Sequence, residues 1–123
     1  MTPFGERLRQ LRAERGMTQR QMAQAIGVSP AYLSALEHGK RGVPRWILVQ
    51  EIIACLNIIW DDADELQRLA LQSAPRVTID TTELSPRATE LANLLASGID
   101  VLSDDAIEDL RLRLDAAIRQ SER

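Results

Sequence analysis

The sequence predicts an all-α protein, with a five-helix domain over residues 1–72, a linker over 73–84 and a two-helix extension over 85–123. Composition points that way: among 123 residues there are only one Phe, one Tyr and two Trp, while Ala, Leu, Ile, Arg, Gln and Glu dominate and favour helices over strands. Punctuation agrees. Thr18, Ser29–Pro30, Ser85–Pro86 and Ser103 each stand just ahead of a run with apolar residues at helical spacing, as helix N-caps do.

The first helix, Phe4 to Arg15, carries Phe4, Leu8 and Leu11 on one face and stops at Gly16. Thr18 caps the second, and Gln21 three residues on completes a capping box. Met22, Ala23 and Ile26 line its inner side, and Gly27 ends it after about two turns. Ser29 and Pro30 open an equally short third helix, with Leu33 and Leu36 inside, running to Gly39. Only Gly27, Val28 and Ser29 separate the second helix from the third. That turn is too short to reverse the chain, so the two helices must cross steeply as a helix-turn-helix.

The fourth helix, Pro44 to Leu56, is apolar nearly all round, so its second face is expected against the C-terminal segment or another subunit. Trp46 and Trp60 flank it and read as packing anchors. The fifth, Asp61 to Gln72, opens with Asp61, Asp62, Asp64 and Glu65, charges that suit a helix N-terminus. From Ser73 to Leu84 the periodicity breaks, and Val77 to Ile79 is a candidate short strand in an extended linker. The sixth helix follows Ser85–Pro86 with Leu91, Leu94 and Leu95. The seventh follows Ser103 with Ile107, Leu110, Leu114 and Ile118. These two helices are too small to build a core alone; the fourth helix, a second copy or another partner must cover them.

The net charge of −3 hides an asymmetry. Met1 to Arg45 holds eight basic residues against three acidic, whereas Trp46 to Arg123 holds seven against fifteen. Either the basic head meets a polyanion while the acidic remainder does something else, or the arginines merely solvate helix faces.

Several classes drop out. No apolar run approaches the roughly 18 residues of a membrane helix, and the N-terminus carries arginines where a signal peptide is apolar, so a cytoplasmic protein is expected. Cys55 stands alone and His38 is the single histidine, which leaves no disulfide framework and no zinc-finger ligand set. No nucleophile–base pair, phosphate-binding loop or dinucleotide fingerprint occurs, so neither an enzyme nor a cofactor is expected. His38 reads as a turn residue and Cys55 as a small core hydrophobe.

From Met17 to Lys40 the chain reads MTQRQMAQAIGVSPAYLSALEHGK. Ala23 is small where the third helix must cross, Gly27 supplies a left-handed turn, and Met22, Ile26, Val28, Leu33 and Leu36 fill the wedge between helices. With these residues the segment closely resembles the helix-turn-helix of the XRE class, the phage-repressor and Cro-like transcriptional regulators of bacteria and phages. The likeness covers the first 60 to 70 residues, and it implies a repressor-like domain that binds double-stranded DNA.

The resemblance implies roles by position. The third helix, Ser29–Glu37, would be the recognition helix in the major groove, with Ser29, Pro30, Ala31, Tyr32 and Ser34 at base edges or the flanking backbone. Gln19 and Arg20 at the start of the second helix, and Lys40, Arg41 and Arg45 after the third, would meet phosphates and set affinity and its salt dependence. Arg12 and Glu37 match a salt bridge that ties the first helix to the third in relatives, while Ala23 and Gly27 keep the motif's packing.

Well-known phage repressors begin this helix with glutamines that read adenine, whereas Pro30 and Ala31 have no side-chain hydrogen-bonding group. Readout then falls to a thymine methyl against Pro30 or Ala31, to Tyr32 and to Ser34, unless Tyr32 simply caps the edge of the core. The expected function is a homodimeric repressor on a palindromic operator, with Ser85 to Arg123 as the dimerisation segment. The alternative is a DNA-binding antitoxin or mobile-element accessory protein whose C-terminal segment holds a partner protein.

Overall fold

Thr2 starts the structure's first helix: its Oγ1 accepts the Gly5 amide at 3.1 Å, and Pro3 takes the first helical position, where no amide hydrogen is needed. In this computed structural model, which describes residues 1–122, the chain divides into two compact units, Met1–Val77 and Thr78–Arg123. The first holds α1 (Pro3–Glu14), α2 (Gln19–Ile26), α3 (Pro30–Glu37), α4 (Trp46–Cys55) and α5 (Trp60–Leu71). The second holds α6 (Pro86–Gly98), a single 3-10 turn (Ile99–Val101) that the periodicity does not announce, and α7 (Asp104–Ser121).

In the first unit α1 lies against α3 and α5, α2 packs on α3 and α4, and α4 packs on α5. Phe4, Leu8, Met22, Leu33, Leu36, Ile52 and Leu66 are fully enclosed at the centre. Burying each of these contributes roughly 1.5–3 kcal/mol relative to leaving it in water. Two polar details close the bundle. A Cβ on Gly5 would stand 2.4 Å from the Leu36 carbonyl oxygen, so α1 can approach the end of α3 this closely only with glycine there. Ser73, buried just past α5, accepts the Phe4 amide at 3.1 Å and donates to the Leu69 carbonyl at 2.6 Å.

Several expectations are corrected. Ser73 to Val77, read as linker, belongs to the first unit, with Ser73 pinning the end of α5 to the start of α1. Helix α4 begins at Trp46 rather than Pro44, because Arg45 is extended (ψ 144°) and serves as its N-cap. Val77 to Ile79 forms no strand, and no strand exists among the described residues to pair with it. Trp46 and Trp60 are not packing anchors: they are 69% and 82% exposed. Trp46 instead rims an open apolar depression with Val43, Pro44, Val49 and Leu71. Ile47 is likewise exposed, so α4 buries only the face carrying Leu48, Val49 and Ile52. Cys55 is half-buried against the core.

In the second unit neither α6 nor α7 buries a single residue. Ser85 and Ser103 cap them by accepting the amides of Ala88 and Ala106. Leu91, Leu94, Leu95, Ile99, Leu102 and Leu110 line an open apolar groove of about 360 Å3, continued by Ile107 and Leu114. No helix among the described residues is long and apolar enough to cross a membrane.

Candidate nucleic-acid interface

Two short helices and the turn between them place the candidate residues. The Thr18 hydroxyl accepts the Gln21 amide at 3.1 Å while the Gln21 side chain accepts the Thr18 amide at 2.9 Å, so α2 starts with both orphan donors satisfied. At its other end Gly27 is left-handed (φ 75°), and the Gly27 and Val28 amides both return to the Ala23 carbonyl. Ser29 then accepts the Tyr32 amide at 3.0 Å and Pro30 opens α3. Ala23 on α2 is 1% exposed, and α2 packs on both α3 and α4.

The outer surface of this motif carries Ser29, Pro30 and Ala31, all exposed, with Tyr32 and Ser34 half-buried. Arg20 on α2 and Lys40, Arg41 and Arg45 after α3 are exposed, and none has a carboxylate partner among the described residues; Arg41 lies over Tyr32, and Arg45 lines an open depression with Ser29 and Tyr32. Exposed cations without carboxylate partners are what a phosphate backbone requires.

Several candidate side chains are already engaged within the protein. Gln19 turns inward, its Nε2 donating to Glu37 Oε1 at 3.1 Å. Glu37 is fully buried and also receives Arg12, whose Nε and Nη2 reach its two oxygens at 2.8 and 3.1 Å while Nη1 donates to the Met17 carbonyl at 2.9 Å. The buried carboxylate is therefore answered by three donors, and it links α1, the start of α2 and the end of α3. Ser34 has its hydroxyl 3.4 Å from His38 Nδ1, which lies 2.7 Å from the Ser34 carbonyl oxygen. His38 is the C-cap residue of α3, a turn position. Tyr32 packs on the core and lies beneath Arg41, whose guanidinium carbon is 5.1 Å from the ring centroid.

The structure thus joins Gln19 and Arg12 on Glu37, sets Arg41 over the Tyr32 ring and bonds the Tyr32 amide to the Ser29 hydroxyl. The sequence reading missed Arg15, whose Nε donates to the Leu56 carbonyl at 3.0 Å and fastens α1 to the end of α4. Nothing local marks it, since its partner lies 41 residues away. Among the described residues no cluster of His, Cys, Asp or Glu could hold a metal ion.

A three-residue turn between two short packed helices, with the start of the second exposed, defines a helix-turn-helix domain. The chain belongs to the helix-turn-helix domain family, whose pattern matches residues 3–69. Among its relatives in Bacillus subtilis, the HTH-type transcriptional repressor RghR is 44% identical over 61 residues, half of this chain and 45% of RghR. An uncharacterized HTH-type transcriptional regulator, RghRB, is 39% identical over 62 residues, again half of this chain and 45% of the relative. A third, the uncharacterized HTH-type regulator YazB, is 38% identical over 63 residues that make up 86% of its length. The chain therefore spans a little under half the length of RghR and RghRB. A SinR protein/SinI protein complex aligns over 98% of this chain at 20% identity and a TM-score of 0.46, a likeness too slight to carry a conclusion.

Proposed function

We propose that the protein is a sequence-specific transcriptional regulator, acting as a repressor that binds a palindromic operator in double-stranded DNA as a homodimer. The observation that carries this reading is the exposed start of α3 with Arg41 over Tyr32 and Arg45 near Ser29, in a motif whose exposed Arg20, Lys40, Arg41 and Arg45 have no carboxylate partner among the described residues. Helix α3 enters the major groove, where Ser29, Pro30, Ala31, Tyr32 and Ser34 meet base edges or the adjacent backbone. Gln19, whose Nε2 gives one hydrogen to Glu37, joins the phosphate contacts from the start of α2 through its second amide hydrogen, and Arg12 and Glu37 hold α1, α2 and α3 in register behind it.

Direct readout by so few polar side chains is modest, so a pair of half-sites and the shape of the DNA between them supply the rest. The uncovered groove of α6 and α7 favours Ser85 to Arg123 as the dimerisation segment, since an apolar face of this kind is costly to leave in water. The same groove supports a second reading in which the segment holds a different protein, as in a DNA-binding antitoxin or accessory factor. A cytoplasmic location accompanies either.

The test is selection of bound fragments from random duplex DNA at near-physiological salt, with the mass in solution recorded alongside. A recovered palindrome with half-sites about one helical turn apart and a dimeric mass are expected. A folded monomer that enriches no sequence contradicts the repressor reading and gives the partner-binding reading first place.

A further inference from the structure

Two candidate DNA-contacting residues, one on the recognition helix and one in the loop behind it, form a single physical unit. Tyr32 sits in the first turn of α3, with its amide fixed by the Ser29 hydroxyl at 3.0 Å and its ring packed on the core. One face of that anchored ring is covered by the Arg41 guanidinium, 5.1 Å from the centroid. Arg41 itself is exposed and has no carboxylate partner among the described residues. The loop that carries it turns at Gly39 (φ +73°) and Gly42 (φ +68°), and its start is tied to α3 by the Lys40 amide donating to the Ala35 carbonyl at 2.9 Å.

We propose that Tyr32 acts as a positioning residue for Arg41: its ring holds the guanidinium over one face beside the recognition helix, with N–H groups free for one backbone phosphate, and its hydroxyl plays no part. This rests on the DNA-binding reading above. A free arginine side chain loses much rotamer freedom when it grips a phosphate, and a guanidinium held over a rigid ring has lost part of it beforehand. A guanidinium held over one face of an anchored ring is also restricted in position, which an isolated exposed arginine is not. The consequence is unusual for an uncharged residue. Removing the Tyr32 ring must weaken the salt dependence of binding, because the phosphate contact it lessens belongs to Arg41.

The experiment uses the full chain and a fluorescent mixed-sequence duplex of about two helical turns, since phosphate contacts do not require an operator. Kd is measured across a salt series for the native protein and for Tyr32→Leu, Tyr32→Phe, Arg41→Ala and the Tyr32→Leu/Arg41→Ala double variant, with thermal unfolding confirming that each is folded. Arg41→Ala is expected to lower the slope of log Kd against log salt by about 1. Tyr32→Leu lowers it in the same direction by a fraction of that and weakens binding about two- to fivefold, the scale of an exposed cation–π contact. Tyr32→Phe behaves as the native protein, and Tyr32→Leu has no further effect once Arg41 is Ala.

A Tyr32→Leu variant that loses affinity at unchanged slope overturns the proposal, as does a Tyr32→Phe variant as weak as Tyr32→Leu, which places the hydroxyl on a base. Additive effects in the double variant also overturn it. In each of these cases the native protein still binds duplex DNA and the functional reading stands. If the native protein shows no salt-dependent binding at all, that reading fails and takes the proposal with it. Should Tyr32→Leu unfold, the Tyr32→Phe and Arg41→Ala pair still decides whether the ring without its hydroxyl sustains the native slope.

Discussion

The first unit, Met1–Val77, encloses fifteen hydrophobic side chains with five helices, whereas α6 and α7 of the second enclose none. Both stretches carry equally clear helix signals: serine caps with proline or acid behind them, and apolar residues at helical spacing. The difference lies in how many elements converge. Helices α1 to α5 meet one another from several directions, so nearly every apolar stripe finds a facing one. In the second unit Leu91, Leu94 and Leu95 on α6 and Leu110 and Leu114 on α7 border an open apolar groove. Forming a helix and closing a core are thus separate achievements, and only the second needs enough chain.

The charges differ in the same way. On α7 Arg111, Arg113 and Arg119 are each spent on an acid of their own helix, at 2.6, 3.3 and 3.3 Å. Around α3 the cations stay free among the described residues, while the one buried carboxylate, Glu37, is fully answered. One unit leaves charge free on its surface; the other neutralises it locally and presents an apolar face.

That contrast can be broken most directly by truncating apolar side chains in each unit. Phe4→Ala should destabilise the first unit by about 3–5 kcal/mol, read as a lower urea midpoint. Leu94→Ala should leave that midpoint alone and instead shift the mass distribution toward smaller species in sedimentation. Equal losses of folding stability from both changes would mean that the second unit has a closed core after all.

A smaller effect sharpens the account of the buried carboxylate. Glu37→Ala should cost about 3 kcal/mol, the lower end for breaking a buried pair, because Arg12 is 17% exposed and keeps its bond to the Met17 carbonyl. Arg12→Ala combined with Glu37→Ala should cost less than the two changes summed, as measured by a double-mutant cycle in urea. Full additivity would mean that the bridge does not couple α1 to α3.

The smallest effect concerns the exposed pairs of α7. Glu108 lies below its ordinary carboxylate range because Arg111 donates two hydrogen bonds to it, at 2.9 and 2.6 Å. A lowered folded value means that the unfolded chain takes up the proton first on acidification. The pair's contribution is therefore complete above the ordinary glutamate range and is lost as the pH falls through the lowered value. Circular dichroism should show slightly less helix at acid pH, and Glu108→Gln should remove that part of the change. An unaltered acid transition in Glu108→Gln would assign it to other groups.

The two exposed tryptophans mark where sequence reasoning stops. Thr18, Ser29, Ser85 and Ser103 are legible as caps, and the turn at Gly27 with them, because each depends on atoms within about four residues along the chain. Within the first unit, apolar periodicity also marks which side of α1, α2 and α3 turns inward. Whether an apolar residue finds a neighbour is a different matter. Trp46 and Trp60 look like core residues by type, and the packing of α4 on α2 and α5 leaves both outside.

The candidate site divides along the same line. Its membership is what the resemblance of α2, the turn and α3 to the XRE-class motif implies, whereas the inward bond of Gln19 to Glu37 and the contact of Arg41 with the Tyr32 ring arise only when separate elements meet. Ser73 is the extreme case, a serine just past a helix that becomes a buried partner of the Phe4 amide across 69 residues. Local geometry is written in short-range sterics and hydrogen bonding, so residue order alone sets where these helices start and stop. Which side chains are paired, stacked or left in water depends on the convergence of distant elements, and that is settled only when the bundle closes.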